Sequence, residues 1–188
     1  TIQKEREDHL GPSLSLSYKT PLHIVRGWKQ NLITDEGQLY LDCVNNVSHV
    51  GHCHPKVVAA STLQMGVLNT NTRYLNRNIT TYCKRLLNTF PEPLSVCFLV
   101  NSGSEANELA LRIARTVTGN TEVLVLEEGY HGNTRNTIDI SPYKHEGPGG
   151  QGPPGWVHKI SMPYLFRGKY RDPNSAGKLY ANEIQDLC

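Results

Sequence analysis

The sequence predicts an α/β fold in which an N-terminal arm and a β-hairpin precede a unit built on a mostly parallel sheet. Three observations carry this. Short apolar runs at residues 96–100 and 123–126 have the length of buried strands. Between them Ala106, Leu109, Ala110, Ile113, Ala114 and Val117 recur at helical spacing, so strand, helix and strand follow one another and a parallel pairing is expected. Upstream, two strand-like runs flank Thr34-Asp35-Glu36-Gly37, a turn in which glycine supplies positive φ.

Along the chain, residues 1–20 are polar and weakly patterned and read as an arm lying on another surface. Residues 24–33 read as one strand. Residues 39–44 return as a second, with Leu39, Leu41 and Cys43 on one face and Tyr40 and Asp42 on the other. Residues 47–54 form a loop rich in Asn, Ser, Gly and His. His54-Pro55 then opens a helix to about Leu68, because proline is tolerated at the first helical position. Another helix spans residues 79–89 and stops before Pro91. The helix after residues 96–100 is closed by Gly119. Residues 147–155 are Gly and Pro except for Gln151 and read as a surface loop, residues 156–160 as a further strand, and residues 182–188 as the start of a helix. The division expected is an arm and hairpin over residues 1–50, and the first part of a larger α/β domain over residues 51–188.

Bulk properties narrow the function classes. A net charge of +2, with no basic block or acidic tail, argues against a dedicated nucleic-acid or membrane-surface protein. No apolar stretch approaches the roughly 20 residues that span a bilayer. The charged first ten residues carry no signal-peptide core. Five cysteines, an odd number with no CxxC spacing, argue against a disulfide framework and for a reducing, cytoplasmic setting; a preceding targeting segment would make it mitochondrial.

The segment Asn101-Ser102-Gly103-Ser104, leading from a strand into a helix, is a phosphate site by its physics. The first turn of a helix has unpaired N–H groups at the positive end of the dipole. Gly103 lets the backbone approach closely, and Ser102 and Ser104 add hydroxyls. Glu105 would repel a dianion, so its side chain is expected to turn away. The competing reading is structural: Ser102 or Ser104 caps the helix, with Glu105 or Glu108 supporting the cap. It is neither a Walker loop nor a dinucleotide fingerprint.

Asn101-Ser102-Gly103-Ser104-Glu105-Ala106-Asn107-Glu108 resembles the Ser-Gly-Ser-Glu-Ala segment of class III aminotransferases. Tyr130-His131-Gly132 resembles their Tyr/Phe-His-Gly segment, and Leu41-Asp42 with Gly51-His52-Cys53-His54-Pro55 their Leu-Asp … Gly-His-x-His-Pro stretch. The wording around these motifs, including Ile140-Ser141-Pro142-Tyr143-Lys144, looks most like the phospho-lyase branch, which acts on phosphoethanolamine and phosphohydroxylysine. The resemblance implies the large domain of a fold-type I pyridoxal-phosphate enzyme, a homodimer acting on a small amine or amino acid as a transaminase or phospho-lyase. It implies that Ser102, Gly103 and Ser104 hold the phosphate of pyridoxal 5'-phosphate, that Tyr130 stacks on the pyridine ring, and that His131 sits beside it.

Arg73 and Tyr74, in a polar stretch between two helices, are candidate substrate contacts, since arginine suits carboxylate or phosphate. His49, His52, Cys53 and His54 cluster, but their spacing fits no standard zinc site, and no metal is expected. No catalytic residue is assigned. The lysine that would bond the cofactor, and the acidic Asp-Glu-x-Gln-like segment that would face its ring nitrogen, have no counterpart; Lys159, Lys169 and Lys178 sit in other contexts. An N-terminal portion of a longer enzyme is expected, the alternative being an inactive interaction module that retains the cradle.

Overall fold

The computed structural model describes residues 1–44 and 48–187; residues 45–47 of the expected loop, and Cys188 with the end of the expected last helix, lie outside the described residues. The chain divides into two compact units, Thr1–Asn76 and Arg77–Cys188.

In the first unit, helix α1 spans Ile2–His9. The expectation for this segment was an unpatterned arm. The helix is held by charge and capping rather than by an apolar face: Thr1 caps Lys4 N, and Gln3–Glu7 and Lys4–Asp8 pair at i,i+4. Strands β1 (Ile24–Trp28), β2 (Asn31–Thr34) and β3 (Leu39–Leu41) form an antiparallel sheet in that order. The single strand expected over residues 24–33 is thus two. Lys29 takes a left-handed φ of 51° and turns the chain, so that Trp28 pairs with Asn31. Nothing in Lys29-Gln30 advertises a turn, which is why the break was not legible. The β2–β3 turn is the expected one, with Gly37 at φ 81°. Helix α2 (Pro55–Val67) begins at the expected proline.

His52 ties the loop before α2 to this sheet. Its backbone exchanges hydrogen bonds with Lys29 (3.1 and 2.7 Å), and its Nε2 meets Asp42 Oδ2 at 2.7 Å. Gly27 leaves the room, since a Cβ there would lie 2.7 Å from His52 Cβ. The Leu-Asp and Gly-His motifs therefore meet as one contact.

In the second unit, helix α3 spans Arg77–Leu87 and α4 spans Gly103–Thr118, ending on Gly119 at φ 71°. Strand β4 (Val123–Leu126) is followed by short helices α5 (Arg135–Asp139) and α6 (Pro142–His145), then by β5 (Val157–Ile160) parallel to β4. Helix α7 covers Ala176–Gln185, starting six residues before the expected position. Residues 147–155 contain no helix or strand, in line with the expected loop. The parallel unit is real, but its members differ from expectation. The run at 96–100 forms no strand among the described residues, and its Val96 and Phe98 are exposed. A strand requires a neighbour's backbone groups, and none is paired with it. The core consists of Val125, Ile140 and Val157, with Leu111, Val123 and Trp156 packed against them.

Candidate functional site

The cradle lies at the start of α4. Ser102 is the N-cap, and its Oγ accepts the Glu105 N–H at 3.2 Å. Ala106 N–H donates to the Ser102 carbonyl at 3.0 Å, closing the first helical turn. The Gly103 and Ser104 amides have no acceptor among the described residues. A Cβ at Gly103 would meet nothing within 4 Å, so the chain is uncovered at this position of the first turn. The Glu105 carboxylate folds back, with Oε2 accepting from Asn101 N (2.7 Å) and Asn101 Nδ2 (3.0 Å). Capping leaves donors over: Ser102 Oγ serves the cap, Glu105 is held by Asn101, and two amides at the positive end of a 16-residue helix have no acceptor among the described residues.

The loop carrying Tyr130 and His131 is fastened across the same helix. Ser104 Oγ accepts from Asn133 N at 3.0 Å, and Asn107 Nδ2 donates to the His131 carbonyl at 2.7 Å. The His131 N–H donates to Ser141 Oγ at 2.8 Å, and that hydroxyl donates to the Thr137 carbonyl at 2.5 Å. One helical turn further along α4, Glu108 accepts from Thr134 Oγ1 at 2.6 Å and from Asn136 Nδ2. The Thr134 hydroxyl, then the Asn136 amide, hold the Glu108 carboxyl below its ordinary range, with Arg115 adding a smaller favourable field. Gly132 makes the approach possible: at φ 138°, a Cβ there would lie 2.7 Å from Ser104 Oγ and 2.8 Å from Thr137 Oγ1.

Five of the residues singled out from sequence, Ser102, Gly103, Ser104, Tyr130 and His131, therefore belong to one arrangement in the second unit. His131 Nε2 is buried without a hydrogen-bond partner among the described residues, an orphaned polar atom. Tyr130 is 56% exposed; its ring makes a T-shaped contact with Tyr143 at 6.1 Å, and the Lys144 ammonium lies over it at 5.8 Å. Arg73 and Tyr74 lie in the other unit; Asn71 Oδ1 accepts from Arg73 N (3.0 Å) and Nε (3.2 Å), and Tyr74 is exposed. Asn107, Glu108, Thr134 and Ser141 were not foreseen as parts of the site. Asn107 was legible in principle, since it lies three residues after Ser104 and shares its helix face.

These two donors at the positive end of a helix, together with the fastened aromatic loop, suit a phosphorylated aromatic ligand. The sequence signature of aminotransferase class III matches residues 15–187. The chain belongs to the class III aminotransferase family. This is a family of pyridoxal-phosphate enzymes, and the fold is the corresponding fold-type I architecture. The chain is 47% identical over 190 residues to alanine–glyoxylate aminotransferase 2-like of Drosophila melanogaster, covering 98% of this chain and 38% of that protein. It is 37% identical to ethanolamine-phosphate phospho-lyase homolog 1 of Caenorhabditis elegans, covering 99% and 42%. Among solved structures, an Arthrobacter phospholyase in complex with phosphoethanolamine superposes with a TM-score of 0.87 at 36% identity, covering 99% of this chain and 43% of that one. The chain spans about two fifths of the length of the relatives it matches. No helix among the described residues is long and apolar enough to cross a membrane.

Proposed function

We propose that this chain contributes the phosphate cradle and ring-stacking loop of a pyridoxal-phosphate enzyme that acts on a primary amine or amino acid, as a transaminase or a phospho-lyase. The observation that supports this most directly is the pair of unpartnered amides, Gly103 and Ser104, in the first turn of α4, where a Cβ at Gly103 would meet nothing within 4 Å. When bound, pyridoxal phosphate supplies an aldehyde conjugated to an electron-withdrawing ring, which acidifies the carbon bearing the substrate amine.

This chain's residues bind and orient. The amides of Gly103 and Ser104 donate to the phosphate, and the hydroxyl protons of Ser102 and Ser104 add to them, since both oxygens already serve as acceptors within the protein. Tyr130, more than half exposed, stacks on the ring, a contact that contributes on the order of 1 kcal/mol beyond area burial. His131, fixed at its amide and carbonyl, offers Nε2 to the bound ligand. Arg73 and Tyr74 serve as substrate contacts, with the guanidinium directed to a carboxylate or phosphate. The phospho-lyase and aminotransferase names of the relatives support both reaction types. In the full-length protein, phosphate release from phosphoethanolamine would favour elimination, and keto-acid-dependent amino transfer would favour transamination. The complete enzyme is proposed to be a cytoplasmic homodimer.

Gly103→Asp tests the cradle. A carboxylate in the first helical turn complements the dipole, and a side chain there meets no atom, so the fold should hold. The same charge repels a phosphate dianion. In the full-length protein the expected result is an unchanged or raised Tm, with cofactor affinity lower by about tenfold or more, consistent with the loss of charge-assisted hydrogen bonds. Unchanged affinity for pyridoxal phosphate would overturn the assignment.

A further inference from the structure

Among the described residues of the second unit are two thiols, Cys83 and Cys97, that the proposed reaction does not use. Thr80, Cys83, Lys84 and Leu87 form a stripe along α3 and line one wall of an open groove of about 690 Å³; residues 90–95 line the other. The reversal is tight: Thr89 N–H donates to Leu86 O (2.9 Å), Phe90 N–H to Leu87 O (3.0 Å), and Leu94 N–H to Pro91 O (3.0 Å). The chain therefore runs back along α3. On α3, Ile79, Cys83, Leu86 and Leu87 are partly covered, at helical spacing. Of residues 91–100 only Cys97 is covered. The covered face of α3 and the covered point of the returning segment each hold a cysteine, and both are free thiols. The neighbouring Cys83 side chain, and then burial, push the Cys97 thiol above its ordinary range.

We propose that Cys83 and Cys97 form an oxidisable dithiol, closing an intramolecular disulfide when the protein meets a peroxide. The chemistry balances with hydrogen peroxide as two-electron oxidant. One thiolate attacks the peroxide, the O–O bond breaks, and the sulfur becomes a sulfenic acid while water leaves. The second sulfur displaces the sulfenic oxygen as a second water, and the S–S bond forms. Two thiols and one peroxide yield one disulfide and two waters. The inference does not depend on the cofactor reading.

The test is peptide mapping of the full-length protein after graded hydrogen peroxide, with remaining thiols blocked by N-ethylmaleimide. Trypsin cuts after Lys84 and Arg85, so Cys83 and Cys97 fall on separate peptides. The expected product is a linked pair joining residues 78–84 to residues 86–112, two hydrogens lighter than the sum and separated by dithiothreitol. The exposed Cys43 and Cys53 act as internal dose markers. In Cys97→Ser the link should vanish, and Cys83 should instead accumulate as a sulfenic acid trapped by dimedone. Cys83 and Cys97 both still blocked by maleimide at a dose that oxidises Cys43 and Cys53 would overturn the proposal. Links from either cysteine to other partners would do the same.

Discussion

Glu105 and Glu108 have the same side chain and nearly the same sequence context, yet they act in opposite directions. Glu105 reaches back to Asn101, and Glu108 reaches across to Thr134 and Asn136. The outward turn of Glu105 was legible because a carboxylate cannot face an anion at a helix start. The role of Glu108 was not, because its partners lie 26 and 28 residues away and only the fold unites them. Its depressed pKa makes a pH prediction. A carboxyl held below its unfolded value adds stability that is present above about pH 4.3 and is lost as pH falls through the folded value. Glu108→Gln should therefore destabilise by about 1 kcal/mol near neutrality, a figure kept small because the group is partly solvated. The difference from wild type should shrink towards zero as pH falls through the folded value, below which both side chains are neutral. Parallel urea titrations at several pH values measure this, and a gap that stays constant with pH would refute the linkage.

Helix α4 has the extent expected of it. Its cap, its length and its Gly119 stop follow from local chemistry. Its apolar stripe marks one face of the helix and is not the covered one. Instead Ser104, Asn107, Glu108, Leu109, Leu111 and Arg115 are the covered residues, while Val117 is 78% exposed. The covered face is mostly polar, and it receives the loop at residues 130–136. Periodicity reports which residues share a face, not which neighbour they meet. The same limit explains residues 96–100: an apolar run carries strand propensity, but pairing requires a partner elsewhere in sequence. The loop's seat on α4 depends on Gly132. Gly132→Val would drive Cβ into Ser104 and Thr137 and would also strain a positive φ. The expected cost is about 2–4 kcal/mol. Thermal melts should record it, and a proton–deuterium exchange map should place the loosening at residues 130–137. A melt within a degree of wild type would contradict the packing described.

At the scale of the whole chain, the family could be read because its motifs are short, local and spaced in order, and because each has a structural counterpart: Asp42 with His52, Ser104 with Asn133, Asn107 with His131. The division into compact units was less legible, since the boundary after Asn76 falls in a polar stretch between two helices and not at the end of the hairpin. Lysine chemistry supplies a prediction at this scale. Lys159, Lys169 and Lys178 are not expected to bond the cofactor, so incubating the 188-residue chain with pyridoxal phosphate and reducing with borohydride should give diffuse labelling and no turnover of phosphoethanolamine. One uniquely labelled lysine together with turnover would overturn this.

The polar seat between α4 and the loop of residues 130–136 has a consequence for how such a protein can drift. Apolar faces slide over one another and accept exchanges of similar volume. Hydrogen bonds are directional and fail within about an ångström. The contacts from Ser104, Asn107 and Glu108 therefore work as a ruler, fixing how far along the helix the tyrosine is set from the two free amides. Substitutions on the outer side of the helix leave that spacing alone. Substitutions on the inner side reset it, and a ligand whose phosphate and ring are joined by fixed bonds has no slack with which to follow.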